Sequence, residues 1–217
     1  MSISLSLEPD GLDPTMGAAA SIGEVVHYNV LEGLTRIDEN GQVKPLLAQS
    51  WSQDASGLVH VFKLRRGVRF HDGAVLDAQA VRFSFERAKA PGSTNKARKA
   101  LFDNIARIET PDAHTVVLAL ERPDVHLLFR LGEGPAVILH PASAAQASSH
   151  PVGTGPYRFV QWSRGTSITL VRADTYRDPT QASIERVVFH FIPDPKAKEA
   201  AFRSGAMDLF FNLATQD

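Results

Sequence analysis

The chain has 217 residues, 43% of them apolar and 22% charged, with 23 Lys+Arg against 24 Asp+Glu for a net charge of −1. This is ordinary globular usage, long enough for one large domain or two small ones, which excludes wholesale disorder and the basic surplus of a dedicated nucleic-acid binder. The absence of cysteine removes disulfides, thiolate zinc sites and cysteine nucleophiles, and the longest apolar runs, Val116–Leu120 and Ala136–Leu139, fall far short of the ~20 residues of a membrane-spanning helix.

In chain order, Ser4–Glu8 alternates as a short strand and is stopped by Pro9-Asp10-Gly11. A loop of small residues follows from Asp13 to Ala20. Ser21 and Glu24 have the S-x-x-E spacing of a capping box, which predicts a helix carrying Ile22, Val26 and Val30 on one face and running to about Glu32, with Gly33 as its stop. Asn40-Gly41 predicts a hairpin between Leu34–Ile37 and Val43–Leu46. A second turn at Asp54–Gly57 precedes the strand Val59–Leu64, and turns at Gly67 and His71-Asp72-Gly73 flank a short strand, Val68–Phe70. Asp77 caps a helix with Ala78, Val81, Phe85 and Ala88 on one face, ending before Pro91-Gly92.

Ser93–Lys99 is a polar, basic loop leading into a short helix around Ala100–Ile105. Ile105–Glu109 and Thr115–Leu120 read as paired strands around a Pro111-Asp112 turn. Val125–Leu131 and the alanine-rich Pro141–Ser148 read as helices, separated by a break at Gly132–Pro135, and His150–Tyr157 is too rich in Gly and Pro for a regular element. Three strands follow, Tyr157–Trp162, Ser167–Arg172 and Arg186–Ile192. Asp194 and Pro195 then make an N-cap and N1 pair for a helix ending at Gly205, before a last strand, Met207–Phe211. The pattern is mixed α+β, with more strand than helix.

Little in the chain points to chemistry. The histidines (His27, His60, His71, His114, His126, His140, His150 and His190) include no H-E-x-x-H and no i,i+4 pair, so no metal site is expected. No serine sits in a G-x-S-x-G elbow, and no pair of carboxylates is singled out. Gly153-Thr154-Gly155 lacks the spacing of a phosphate loop, and Pro156 removes a donor that such a cradle would use. Its glycines instead permit close backbone approach, to a neighbouring segment or to a ligand. Lys96, Arg98 and Lys99 read as a solvated helix face, and Trp51 and Trp162 as structural aromatics, with a ligand platform as the alternative.

Several segments taken together carry a resemblance. They are Leu12-Asp13-Pro14, Leu31-Glu32-Gly33-Leu34, Pro45–Trp51, the run Phe62–Gly73, Ala80–Arg87, Gly153-Thr154-Gly155-Pro156-Tyr157 and Ala201–Asp208. Their order and spacing resemble the family 5 extracellular solute-binding proteins, the oligopeptide, dipeptide and nickel receptors that feed ABC importers. The resemblance implies a periplasmic-binding-protein-like lobe I of mixed α/β class. In it, residues 1–40 and 151–217 form a central mixed-sheet subdomain, and residues 41–150 form a smaller β-rich subdomain with helices. It implies a receptor of two lobes that close on a ligand by hinge motion, with the second lobe absent from this chain and Met1 standing where a leader has been removed.

The implied function is capture without catalysis or cofactor. The ligand is a peptide or other small organic solute, handed to an ABC permease outside the cytoplasm. The implied cleft residues are Met16, Ala19, Ala20, Ser21, Gly134, Pro135, Val137, Thr154 and Asn212. No histidine or arginine occupies Gly132–Leu139, which disfavours the nickel type. Two other classes stay open at this point: the ligand-sensing domain of a transcriptional regulator with the same fold, and a hydrolase.

Overall fold

The computed structural model of the chain describes residues 1–210, so Asn212 and the end of the expected last strand lie outside the described residues. Strands are β1 (Ser2–Leu5), β2 (Thr35–Ile37), β3 (Val43–Pro45), β4 (Ala48–Gln53), β5 (Val59–Leu64), β6 (Ile105–Asp112), β7 (Thr115–Leu120), β8 (Tyr157–Ser163), β9 (Ser167–Arg172), β10 (Arg186–Phe191) and β11 (Leu209–Phe210). Helices are α1 (Ala20–Val26), α2 (Ala78–Lys89), α3 (Leu127–Arg130) and α4 (Pro195–Arg203).

The two ends of the chain build one sheet, in the order β11-β1-β10-β9-β8. In it β1 runs parallel to both β10 and β11, while β9 is antiparallel to β10 and β8. The middle of the chain builds a second, antiparallel sheet, β4-β5-β7-β6. α2 covers it with a face of Ala78, Val81, Phe85 and Ala88, and Phe85 meets Phe102 edge to face at 5.4 Å. The β2–β3 hairpin stands apart from both sheets.

Two hydrophobic cores result. One takes its members from Leu34 to Ile138; the other takes them from Ile3–Leu31 and Val137–Phe189. The run Ala136–Leu139, the end of a 3-10 turn (Gly134–Ala136) and the extended residues after it, joins them. Because successive side chains of an extended chain point to opposite sides, Val137 and Leu139 enter the second core and Ile138 the first, which Ala136 also joins. Buried on both faces, this run needs partners for its backbone: Ile138 donates to the Glu32 carbonyl at 2.8 Å and Leu139 to the Ser84 hydroxyl at 2.9 Å.

Local signals set most boundaries. Asp77 accepts from the Ala80 N–H and Asp194 from the Ala197 N–H, each capping its helix as the sequence predicts, and Gly41 takes the positive φ that the Asn40-Gly41 turn requires. Several elements differ from expectation: the opening strand is Ser2–Leu5 rather than Ser4–Glu8, and Val68–Phe70 forms only an isolated bridge from Arg69 to Val75. α1 begins at Ala20, one residue ahead of Ser21, so Ser21 lies inside the helix, Ala19 is the uncapped N-cap, and no capping box forms. α1 also ends at Val26 rather than near Glu32, because Tyr28 turns the chain at φ 60° and Leu31 bonds back to the Val26 carbonyl. Pro141–Ser148 and Val125–Leu131 shrink to a single 3-10 turn (Ala144–Gln146) and to the four residues of α3, segments too short to sustain a helix away from tertiary support. β4, whose residues the sequence left unassigned, pairs with β5 as an outer strand of the second sheet.

Candidate functional site

A cavity of about 510 Å³ opens where the loop after β1, the end of α1, the β2 hairpin, the Lys96–Ala100 segment and the Gly132–Pro135 break come together. Its floor is small side chains, among them Gly17, Ala19, Ala20, Gly23, Ala97 and Gly134.

The loop after β1 is held rigidly. Buried Asp13 accepts from the Thr15 N–H and hydroxyl, at 2.9 and 2.6 Å, and from Arg87 of α2 at 2.8 Å. Arg87 also reaches Thr15 Oγ1, and the Met16 and Gly17 N–H groups close back onto the Asp13 carbonyl. On the opposite wall, buried Asn95 donates to the Pro135 carbonyl at 2.9 Å and accepts from the Ala97 N–H, tying the basic loop to the break. The backbone around the cavity is thus braced by side chains that do not themselves line it.

At the inner end, the positive φ of Tyr28 is costly for a residue with a Cβ, and its hydroxyl holds it there, donating to the Gly132 carbonyl (2.5 Å) and accepting from the Ile37 N–H (2.9 Å). His27 stacks on the Tyr28 ring at 3.8 Å. Its Nε2 is buried without a partner, and burial, with Lys96 nearby, pushes its pKa down to about 4, so it stays neutral at pH 7.

Two charges lining the cavity, Lys96 and half-buried Glu133, have no ion-pair or hydrogen-bond partner among the described residues. Arg130 also lines it but is committed to Asp124 and to the Ala100 carbonyl.

The residues implied by sequence distribute unevenly. Ala19, Ala20, Gly134 and Pro135 line this cavity. Met16 sits beside it, 54% exposed, with its sulfur against Arg87. Ser21 and Val137 are buried, Val137 in the second core. Thr154 is also buried, and its hydroxyl donates to Glu32 at 2.8 Å, so Ser21, Val137 and Thr154 do not line the cavity.

The Gly-Pro run around Thr154 is a junction between chain segments. A Cβ on Gly153 would fall 1.8 Å from the Val30 carbonyl oxygen, and one on Gly155 would fall 2.3 Å from that of Asn29. The glycines therefore admit a neighbouring backbone. His71, lowered in pKa by burial, bridges the same run: its Nε2 lies 2.9 Å from the Gly155 carbonyl and its Nδ1 3.3 Å from the Gly153 N–H. Under this run Glu32, 2% exposed, accepts a two-pronged bond from Arg177 at 2.7 and 2.8 Å, together with Thr154 and Tyr176.

His27, Tyr28, Lys96 and Glu133 were not among the residues singled out for the cleft. Lys96, read from sequence as part of a solvated face, is exposed, and the fold also sets it at the edge of the cavity beside Gly134 and Pro135. Among the described residues no three His, Asp or Glu side chains gather as metal ligands. Among the described residues the cavity offers one unpaired cation, one unpaired anion and a small-residue floor, an arrangement suited to holding a ligand.

Comparison with known proteins agrees in kind. The family model described as bacterial extracellular solute-binding proteins, family 5 Middle, matches residues 42–217. The glutathione-binding protein GsiB of Pectobacterium atrosepticum is 31% identical over 198 residues, covering 89% of this chain and 38% of that protein. The structure of the periplasmic binding protein AgaA from A. tumefaciens in complex with agropinic acid superposes with a TM-score of 0.90 at 31% identity, over 96% of this chain and 43% of that one. The ABC transporter-associated periplasmic binding protein DppA of Helicobacter pylori, in complex with the peptide STSA, gives a TM-score of 0.89 at 26% identity, over 98% and 46%. The chain therefore spans less than half the length of the relatives it matches.

Proposed function

The chain belongs to the family 5 bacterial extracellular solute-binding proteins, and from that membership we propose that it supplies one wall of a cleft that captures a small organic solute for an ABC importer. The family and the matched relatives are transport-binding proteins rather than enzymes. Capture outside the cytoplasmic membrane is part of the proposal, and no helix among the described residues is long and apolar enough to cross a membrane.

The observation that carries the reading is the cavity with unpaired Lys96 and Glu133 on its walls. Two opposite charges left without protein partners match a ligand bearing both signs, a carboxylate for Lys96 and an ammonium for Glu133. A peptide or an amino-acid conjugate has that form, and glutathione, agropinic acid and the peptide STSA are named with the matched relatives. Ala19, Ala20 and Gly134 leave room for a ligand backbone to approach the wall. We further propose that residues 1–40 and 151–217 form a central subdomain and residues 41–150 a smaller one; the presence of two hydrophobic cores supports two units, with Leu34 already in the core of the smaller one and Val137, Leu139, Ala144 and Ala147 in that of the central one.

Mass spectrometry of small molecules that co-purify with the full-length protein tests the reading, followed by calorimetry with the species found. A zwitterionic organic solute bound unchanged is the expected result. Recovery of only uncharged ligands, or hydrolysis of a bound peptide by the purified protein, would overturn it. No feature of the described residues favours the transcriptional-regulator alternative.

A further inference from the structure

A second cavity, of about 470 Å³, lies on the other side of the β2 strand. Alternation along that strand sends Ile37 to the first cavity and Arg36 to the second. Arg65 and Arg66, from the turn after β5, and Arg177, from the loop after β9, share its lining with Arg36.

Of these four guanidinium groups only Arg177 is neutralised, by Glu32. Arg65 spends its Nε–H on the Leu46 carbonyl at 2.6 Å and has no carboxylate partner, and Arg36 and Arg66 make no side-chain hydrogen bond or ion pair among the described residues. The single carboxylate in the lining, Asp178, is already occupied by the Thr180 N–H and hydroxyl and by the Gln181 amide. With Glu32 set against Arg177 and ionised Asp178 against one of the other three, the lining keeps two positive charges in excess, and their field concentrates counter-charge there.

The shape of the cluster narrows the counter-charge. One guanidinium fork saturates a flat carboxylate, whereas a tetrahedral oxyanion presents oxygens in several directions and can engage forks from separate elements at once. We propose that this cavity is a binding site for a doubly charged tetrahedral oxyanion, inorganic phosphate or the phosphate group of a small soluble molecule, separate from the cleft on the opposite face of the hairpin.

Inorganic phosphate is the probe, titrated calorimetrically into the purified protein at constant ionic strength set with chloride. Saturable binding is expected. Because bonds to charged groups are worth more than neutral ones, Arg36→Gln and Arg66→Gln should each weaken it about tenfold or more. Arg66→Lys, which keeps the charge and loses the fork, should fall between wild type and Arg66→Gln, and Arg203→Gln on the exposed face of α4 should bind as wild type does. Arg36 and Arg66 hold no other side chain, so both variants should fold, checked by an unchanged melting temperature in chloride. Absence of saturable binding, or affinity indifferent to both Arg36→Gln and Arg66→Gln, overturns the site. Binding to phosphatidylglycerol vesicles that excess inorganic phosphate does not displace overturns the soluble-anion reading.

Discussion

Two places in this molecule gather charged side chains, and they differ in one respect. Around Glu32 every polar group is answered: the carboxylate takes both prongs of Arg177, the Thr154 hydroxyl and the Tyr176 phenol. Around the first cavity the walls are braced, yet Lys96, Glu133 and the His27 Nε2 are left without partners. A saturated buried cluster fixes one arrangement of the chain, whereas unanswered groups beside a cavity are available to a ligand. Thr154 and Gly134, both implied as cleft residues by sequence, fall on opposite sides of that distinction.

The strongest way to break the junction is to remove its central acceptor. Glu32→Gln leaves partly buried Arg177 opposite a neutral amide, and losing one partner of such a pair costs about 3 kcal/mol, the lower end of the range for buried pairs. Urea denaturation should show the midpoint falling accordingly with little change in slope. A loss under 1 kcal/mol would mean that the network contributes little to holding the segments together.

Next in size is the close approach that the two glycines permit. Gly153→Ala places its Cβ 1.8 Å from the Val30 carbonyl oxygen, and because the obstacle is backbone rather than a flexible side chain, the loop must shift. The expected cost is about 3 kcal/mol, the upper part of the range for overpacking. Gly23→Ala, with nothing within 4 Å of the added Cβ, should be neutral or slightly stabilising because Gly23 lies inside α1. Equal effects at the two positions would remove the close-approach account.

How much of this was legible beforehand follows from sequence distance. The Asp77 and Asp194 caps and the Asn40-Gly41 turn rest on neighbours within a few residues, and they stand where the sequence placed them. Glu32 and Arg177 meet across 145 residues, and Asp13 meets Arg87 across 74, pairings that no local pattern announces. The Ser21–Glu24 spacing was a local signal overruled, because the braced loop from Asp13 to Gly17 delivers the chain into the helix one residue early. At the cavity, small residues were legible as a lining because their order resembles a family; Lys96 and Glu133 were not, since a charged residue in a loop reads as solvated until the fold shows what it faces.

A smaller effect separates the cavity from the junction by pH. His27 has its pKa pushed down from 6.5 to about 4 by burial. The unfolded chain therefore takes up a proton first, so the stability held by neutral His27 is fully present above pH 6.5, is lost as pH falls towards 4, and levels off below that. A shift of this size in a partly exposed group corresponds to about 2–3 kcal/mol. His27→Phe keeps a ring against Tyr28 and should flatten this part of the curve when denaturation midpoints are compared between pH 7.5 and pH 4. His71, also lowered by burial, contributes with the same sign, so the variant should retain a residual slope. An unchanged slope in His27→Phe would show that His27 is not held neutral in the folded state.

The smallest effect on stability is expected at the two charges that most distinguish the cavity. Lys96→Gln and Glu133→Gln remove groups with no partner among the described residues, so each should change stability by no more than about 0.5 kcal/mol. Against the solute that co-purifies with the full-length protein, each should nonetheless weaken binding about tenfold or more, the worth of one charge-assisted hydrogen bond. Truncating the solute sharpens the comparison. Amidating its carboxylate should make Lys96→Gln silent while leaving the Glu133→Gln effect intact, and acylating its amine should do the reverse. If both substitutions destabilise the fold and leave affinity unchanged, these charges belong with Glu32 as part of the scaffold, and the distinction between answered and unanswered groups fails at the place where it was drawn most sharply.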